Sequence, residues 1–141
     1  MVVNKSTENR KAWLGLAALV ALVLAATLGM DVLWERPPAR LADSRVLRGH
    51  VRDVRYRAAT LGNVGGIRIE LDVEGASVTL EQRPGAPIER LSKELHVGDV
   101  IDAWTTNSGV WWARDKLLAV WQIQRGEQML LAYETSKALG G

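Results

Sequence analysis

The chain has 141 residues, no cysteine, and 18 Lys and Arg against 16 Asp and Glu. That length allows one small folded domain beside any further segment, and the missing cysteine excludes disulfides and thiolate chemistry. Lys5, Arg10, Lys11 and Glu8 all precede the first long apolar run, so the remaining charges balance. A neutral domain does not advertise a polyanion partner.

Residues 1–11 form a short basic tail. Trp13–Met30 then reads WLGLAALVALVLAATLGM, in which Thr27 is the one polar side chain. A bilayer core of about 30 Å needs roughly 20 apolar residues on a helix. The run from Ala12 to Trp34 meets that length and is expected to be a transmembrane helix. Trp13 and Trp34 would then mark the two membrane interfaces. A cleaved signal peptide is the rival, but its apolar region is usually shorter and ends in small residues. Here the best cleavage point, after Ala25, falls inside the apolar run. Ala17, Ala21, Ala25 and Gly29 recur at every fourth position, the spacing that lets membrane helices pack closely. The expected placement is the inner (cytoplasmic) membrane, single-pass. Basic flanks are nearly balanced. The short tail argues for a cytoplasmic N-terminus and an extracytoplasmic, periplasmic domain.

Residues 35–43 (ERPPARLAD) read as a stiff linker, because Pro37 and Pro38 end a helix and hold the chain extended. The first strand is expected at Arg45–Arg57. Leu47, Gly49 and Val51 share one face, whereas Val54 and Tyr56 fall on the other phase. One extra residue near Arg52–Asp53, a β-bulge, restores both to the core side. The segment Ala58–Gly66 is a glycine-rich loop. Ile67, Ile69, Leu71 and Val73 alternate with charged residues, the pattern of a half-buried strand. Glu74–Gly75 supplies a tight turn, and Ala76, Val78 and Leu80 make the return strand of a hairpin.

Pro87 can open a short helix at no hydrogen-bond cost. Ile88, Leu91 and Leu95 fall on one side of it. A turn at Val97–Asp99 leads to a fourth strand, Val100–Thr106. The fifth strand, Leu117–Gln124, is expected to turn Leu117, Ala119, Trp121 and Ile123 one way. Trp104 and Trp121 are expected in the core. The tail, residues 126–141, adds a strand from Gln128 to Tyr133 and a short helix.

The fold class that follows is mainly β with one N-terminal transmembrane helix. The order β-β-β-α-β-β, with LHVGDVI at Leu95–Ile101 opening the fourth strand, resembles the OB-fold proteins over about residues 44–125. An SH3-like barrel is the alternative architecture. The chain also resembles bacterial single-pass membrane-anchored proteins that carry a small OB-fold-like envelope domain.

OB-folds bind across the face of strands two and three, between the loops joining strands one to two and four to five. Single-stranded nucleic acid needs aromatic platforms and a positive groove there. The outward residues here are Arg68, Glu70, Asp72, Glu74, Ser77, Thr79 and Glu81, acidic and without an aromatic ring, so a nucleic-acid partner is not expected. The loop Thr105–Asp115 carries Trp111, Trp112 and Arg114. Adjacent residues of an extended segment point to opposite sides, so one indole is expected in the barrel end and the other outside; alternatively both plug the barrel mouth. Arg36, Arg40, Arg45 and Arg48, with Arg52, Arg55 and Arg57, form a basic stretch. It suits anionic lipid or a partner's carboxylates, or pairs locally with the acidic second strand.

His50 and His96 are the two histidines. His96, Asp99 and Asp102 are spaced by three but lie across a turn and a strand, where Asp99 serves the turn. No metal, cofactor or catalytic residue is expected, and no nucleotide, metalloprotease or serine-hydrolase motif occurs. The sequence therefore predicts a non-enzymatic, membrane-anchored OB-like adaptor, a small subunit of a bacterial envelope complex. Its anchor would pack on a protein partner or a second copy, and its Trp111–Trp112 loop and Arg114 would bind a partner. A carbohydrate or small-ligand binder using that loop, and an anionic-lipid-contacting domain, are the alternatives.

Overall fold

The computed structural model describes the backbone of residues 5–34, 37–107 and 117–139 and, within the N-terminal helix, the side chains of residues 8–24. The chain divides into two compact units, Met1–Leu33 and Trp34–Gly141.

The first unit is helix α1, Lys5–Trp34. Its described side chains are all exposed. Among the described residues no helix is long and apolar enough to cross a membrane. This corrects the expected transmembrane span, and with it the single-pass inner-membrane placement and the periplasmic assignment of the domain. The first turns of α1 carry Glu8, Arg10 and Lys11.

The second unit is mainly β. Its elements are β1 (Arg45–Arg57), β2 (Gly66–Val73), β3 (Ala76–Gln82), α2 (Ala86–Glu94), β4 (Val100–Asn107), β5 (Leu117–Arg125), β6 (Gln128–Leu131) and α3 (Tyr133–Leu139). The sheet order is β3-β2-β1-β4-β5-β6, and a parallel β3–β5 pairing closes the first five strands into a barrel. Closure removes the aggregation-prone edges that an open sheet would leave. The closed five-stranded barrel, with its helix between β3 and β4, is consistent with a small OB-like barrel.

β1 serves both halves of the barrel, pairing with β4 through Arg45–His50 and with β2 through His50–Arg57. Its register against β2 shifts between Val51 and Asp53. This is the expected bulge, and Val54 and Tyr56 accordingly pack against the core. Gly49 is required where the two strands cross. A Cβ there would lie 2.9 Å from Leu71 Cγ and closer still to the Asp72 carbonyl. The β2–β3 turn is tight: Glu74 and Gly75 both adopt positive φ (51° and 84°), and Asp72 Oδ1 accepts the Gly75 N–H. Positive φ at both central residues matches the right-handed twist of a two-residue hairpin.

The core joins Ile67, Ile69, Leu71, Leu80, Ile101, Ala103 and Val120 from the strands with Ile88, Leu91 and Leu95 from α2 and the turn that follows it. Pro87 lies in the first turn of α2, where no donor is lost. β5 departs from the expected phase. Thr105 pairs with Val120 but Trp104 pairs with Gln122, so Trp121 is an extra residue in the ladder. Leu118, Val120 and Ile123 therefore enter the core cluster in place of Leu117 and Ala119. Trp121 is buried outside that cluster and donates its Nε1–H to Thr106 Oγ1 at 2.7 Å. Trp104 is half-buried, opposite Val46.

The linker is not a free spacer. Pro37 and Pro38 are half-buried, and the Tyr133 hydroxyl at the start of α3 donates to the Pro38 carbonyl. A 3-10 turn at Leu41–Asp43 then leads into β1. The buried Ser136 hydroxyl fastens α3 to the barrel by donating to the Trp121 carbonyl.

Candidate functional site

The β2–β3 hairpin sets out the surface on which an OB-like barrel would bind. Register aligns Asp53, Glu70, Thr79 and Leu117 in one row, and Arg55, Arg68, Glu81 and Ala119 in the next. This surface is held by its own ion pairs. Arg68 donates from Nε and Nη2 to Glu81 Oε1 at 3.0 and 2.7 Å. Arg52 Nη2 donates to Asp72 Oδ2 at 2.7 Å, and Arg55 Nε to Asp53 Oδ2 at 2.7 Å. The Arg52 bond, aided by the Gly75 N–H, holds the Asp72 carboxyl below the ordinary carboxylate range. Glu70 is exposed and forms no ion pair among the described residues, so the surface keeps an acidic surplus.

The local pairing foreseen for the basic stretch is therefore present for Arg52, and Arg48 lies 3.9 Å from Asp102. Arg40 pairs with Asp43 at 3.3 Å, and Arg45 is exposed. Arg36 lies outside the described residues, as do Trp111, Trp112 and Arg114. Asn107 and Leu117 flank that segment, and Leu117 sits beside Thr79 of β3. On α1, Trp13, Ala17 and Ala21 are exposed. The side chains of Ala25, Gly29 and Trp34 lie outside the described residues.

Two features were not anticipated from sequence. The first is the braced, apolar tip of the β1–β2 loop. Thr60 and Asn63 exchange backbone hydrogen bonds of 2.9 and 3.1 Å, with Leu61 and Gly62 at the tip. Asn63 Oδ1 accepts the Gly65 N–H at 3.0 Å. Gly65 closes the neck at φ +71°, with the backbone of Arg57–Ala59 packed where a Cβ would go. This compact frame presents Leu61 fully exposed and Val64 75% exposed. The uncharged run AATLGNV carried a signal for it, since apolar residues replace the polar ones usual at a turn.

The second is a polar cluster around Asp99 and Arg125. Arg125 Nη1 donates to Asp99 Oδ2 at 2.7 Å and to the Glu94 carbonyl at 3.1 Å, while Nη2 donates to Gln128 Oε1 at 2.9 Å. Asp99 Oδ2 also accepts the His96 N–H at 2.9 Å. That amide, together with Arg125, lowers the Asp99 pKa against the opposing effect of desolvation. The cluster ties the end of α2 to the start of β4 and to the β5–β6 turn. Its members are spent on one another and on backbone groups, which marks it as a structural clamp. Among the described residues no three His, Asp or Glu side chains converge to hold a metal ion.

No protein-family model matches the chain, and no curated protein matches it. Among solved structures, a crystal structure of the ZRD-deleted mutant of TiaS in complex with agmatine is similar at 22% identity, with a TM-score of 0.44. The match covers 63% of this chain but 22% of that one. At that TM-score the likeness supports no statement about activity or ligand.

Proposed function

We propose that this chain is a non-catalytic OB-like binding module whose partner is a protein. The observation that carries the proposal is the division of labour at the barrel rim. The strand face neutralises most of its own charge, while the adjoining β1–β2 loop leaves Leu61 and Val64 bare on a hydrogen-bonded frame. Exposed apolar side chains on a braced loop serve recognition better than solubility. A single-stranded nucleic acid would find no aromatic stacking platform among the described residues of the β2–β3 face, and an acidic surplus there. Catalysis is disfavoured because the lowered carboxyls, Asp72 and Asp99, are already engaged by arginines.

The test pairs two measurements on the full chain. Affinity purification from gently lysed cells is expected to bring down a discrete protein at near-equal stoichiometry. Fluorescence anisotropy with oligo(dT) at physiological salt is expected to show no saturable binding. Saturable oligonucleotide binding without a protein partner would overturn the proposal.

A further inference from the structure

The β1–β2 loop has a definite chemistry, and resting on the protein-binding reading above, we infer that it is a plug for an apolar pocket rimmed by carboxylates on the partner protein. The plug is the run Ala58–Val64, every residue of which is exposed and none of which is charged. Leu61 and Val64 are its apolar projections. The Thr60–Asn63 bonds, the Asn63 side-chain bond and the closed neck at Gly65 fix its shape before contact. A preformed shape avoids most of the ordering cost of binding.

The base of the plug fixes the polarity of the rim. Arg57 is the last residue of β1, is exposed, and forms no ion pair among the described residues. Arg55 and Arg68 face each other across the β1–β2 ladder just behind it. Asp53 and Glu81 are already taken up by these two arginines, at 2.7 Å each. A partner seated on Leu61 therefore meets the unpaired Arg57 guanidinium at the base of the plug, and complementary carboxylates on its rim would steer and orient it. The same arrangement disfavours a basic or nucleic-acid-binding partner surface that already carries positive charge.

A photo-crosslinking amino acid placed at position 61 of the full chain, in cells, tests the inference. A control places it at Lys93, exposed on α2. Position 61 is expected to give one discrete protein adduct absent at position 93. The crosslinked peptide is expected to hold apolar residues bordered by Asp or Glu. Arg57→Glu is expected to lower the yield about tenfold, and Arg57→Lys to restore most of it. Adducts with lipid, with nucleic acid or with a second copy of the chain would overturn the inference, as would a yield indifferent to Arg57→Glu. If the partner of the affinity purification persists while position 61 gives no adduct, the loop inference fails and the protein-binding reading stands. If neither partner nor adduct is found, both fail.

Discussion

Replacing Asp99 with alanine should unfasten the clamp that ties the end of α2 to the start of β4 and to the β5–β6 turn. In the native domain one carboxylate oxygen accepts both the His96 N–H and the Arg125 guanidinium, at 2.9 and 2.7 Å. A hydrogen bond to a charged group contributes about 1.5–3 kcal/mol, and two that share an oxygen do not add fully. The expected loss is about 2–3 kcal/mol, a fall in Tm of about 10 °C or more for a domain of this size. Asp99→Asn keeps an acceptor for His96 but removes the charge, so it should lose roughly half as much. The pH dependence gives an independent check. The His96 N–H and Arg125 hold the folded Asp99 carboxyl below the ordinary carboxylate range. The carboxylate therefore contributes fully above the unfolded value, and that contribution is lost as pH falls through the lowered folded value. The gap in stability between wild type and Asp99→Ala should be constant near neutrality and narrow below about pH 4. Urea unfolding followed by tryptophan fluorescence, with the buried Trp121 as reporter, measures both. A loss under about 0.5 kcal/mol, the ordinary value of an exposed pair, or a gap that does not change with pH, would refute the argument.

Other substitutions probe the rest of the fold. Gly49→Ala should destabilise by about 1–3 kcal/mol in urea unfolding, since the new Cβ meets the β2 backbone, which cannot yield cheaply. Leu91→Ala removes a fully buried α2 side chain and should cost about 2–5 kcal/mol by thermal melting. Gln82→Ala should cost about 1 kcal/mol and speed amide exchange along the β3–β5 seam. Its Nε2 donates at 2.6 Å to the Val120 carbonyl, extending the parallel ladder where the backbone pairing stops. Gly65→Ala should cost about 1–3 kcal/mol, because its φ of +71° and the crowded neck both exclude a side chain.

Much of the barrel was legible in the sequence because its strands obey simple periods. The alternation at Ile67–Val73 placed β2, and the break in phase between Val51 and Val54 located the β1 bulge. Spacing alone put Ile88, Leu91 and Leu95 against the core. β5 was misphased for a physical reason: an extra residue at Trp121 disrupts the period, and the local pattern of large side chains does not reveal it. The membrane span was overread from an apolar run, and among the described residues no helix satisfies the requirement. The docked linker depends on Tyr133, far along the chain from Pro38, which no local pattern can show. The candidate site was only half legible. The ion-paired face was foreseen from charge alternation. The bare apolar tip at Leu61 and Val64 was not legible, because its exposure depends on the turn geometry at Thr60–Asn63.

The central claim is that the β1–β2 loop docks this module onto a protein. Quantitative affinity purification of the full chain carrying Leu61→Ser together with Val64→Ser tests it most directly, because both side chains are exposed and their loss should leave the melting temperature unchanged. The account predicts that recovery of the partner falls at least about tenfold, as expected when the main apolar anchors of an interface are removed. Undiminished recovery from the correctly folded double variant would contradict it.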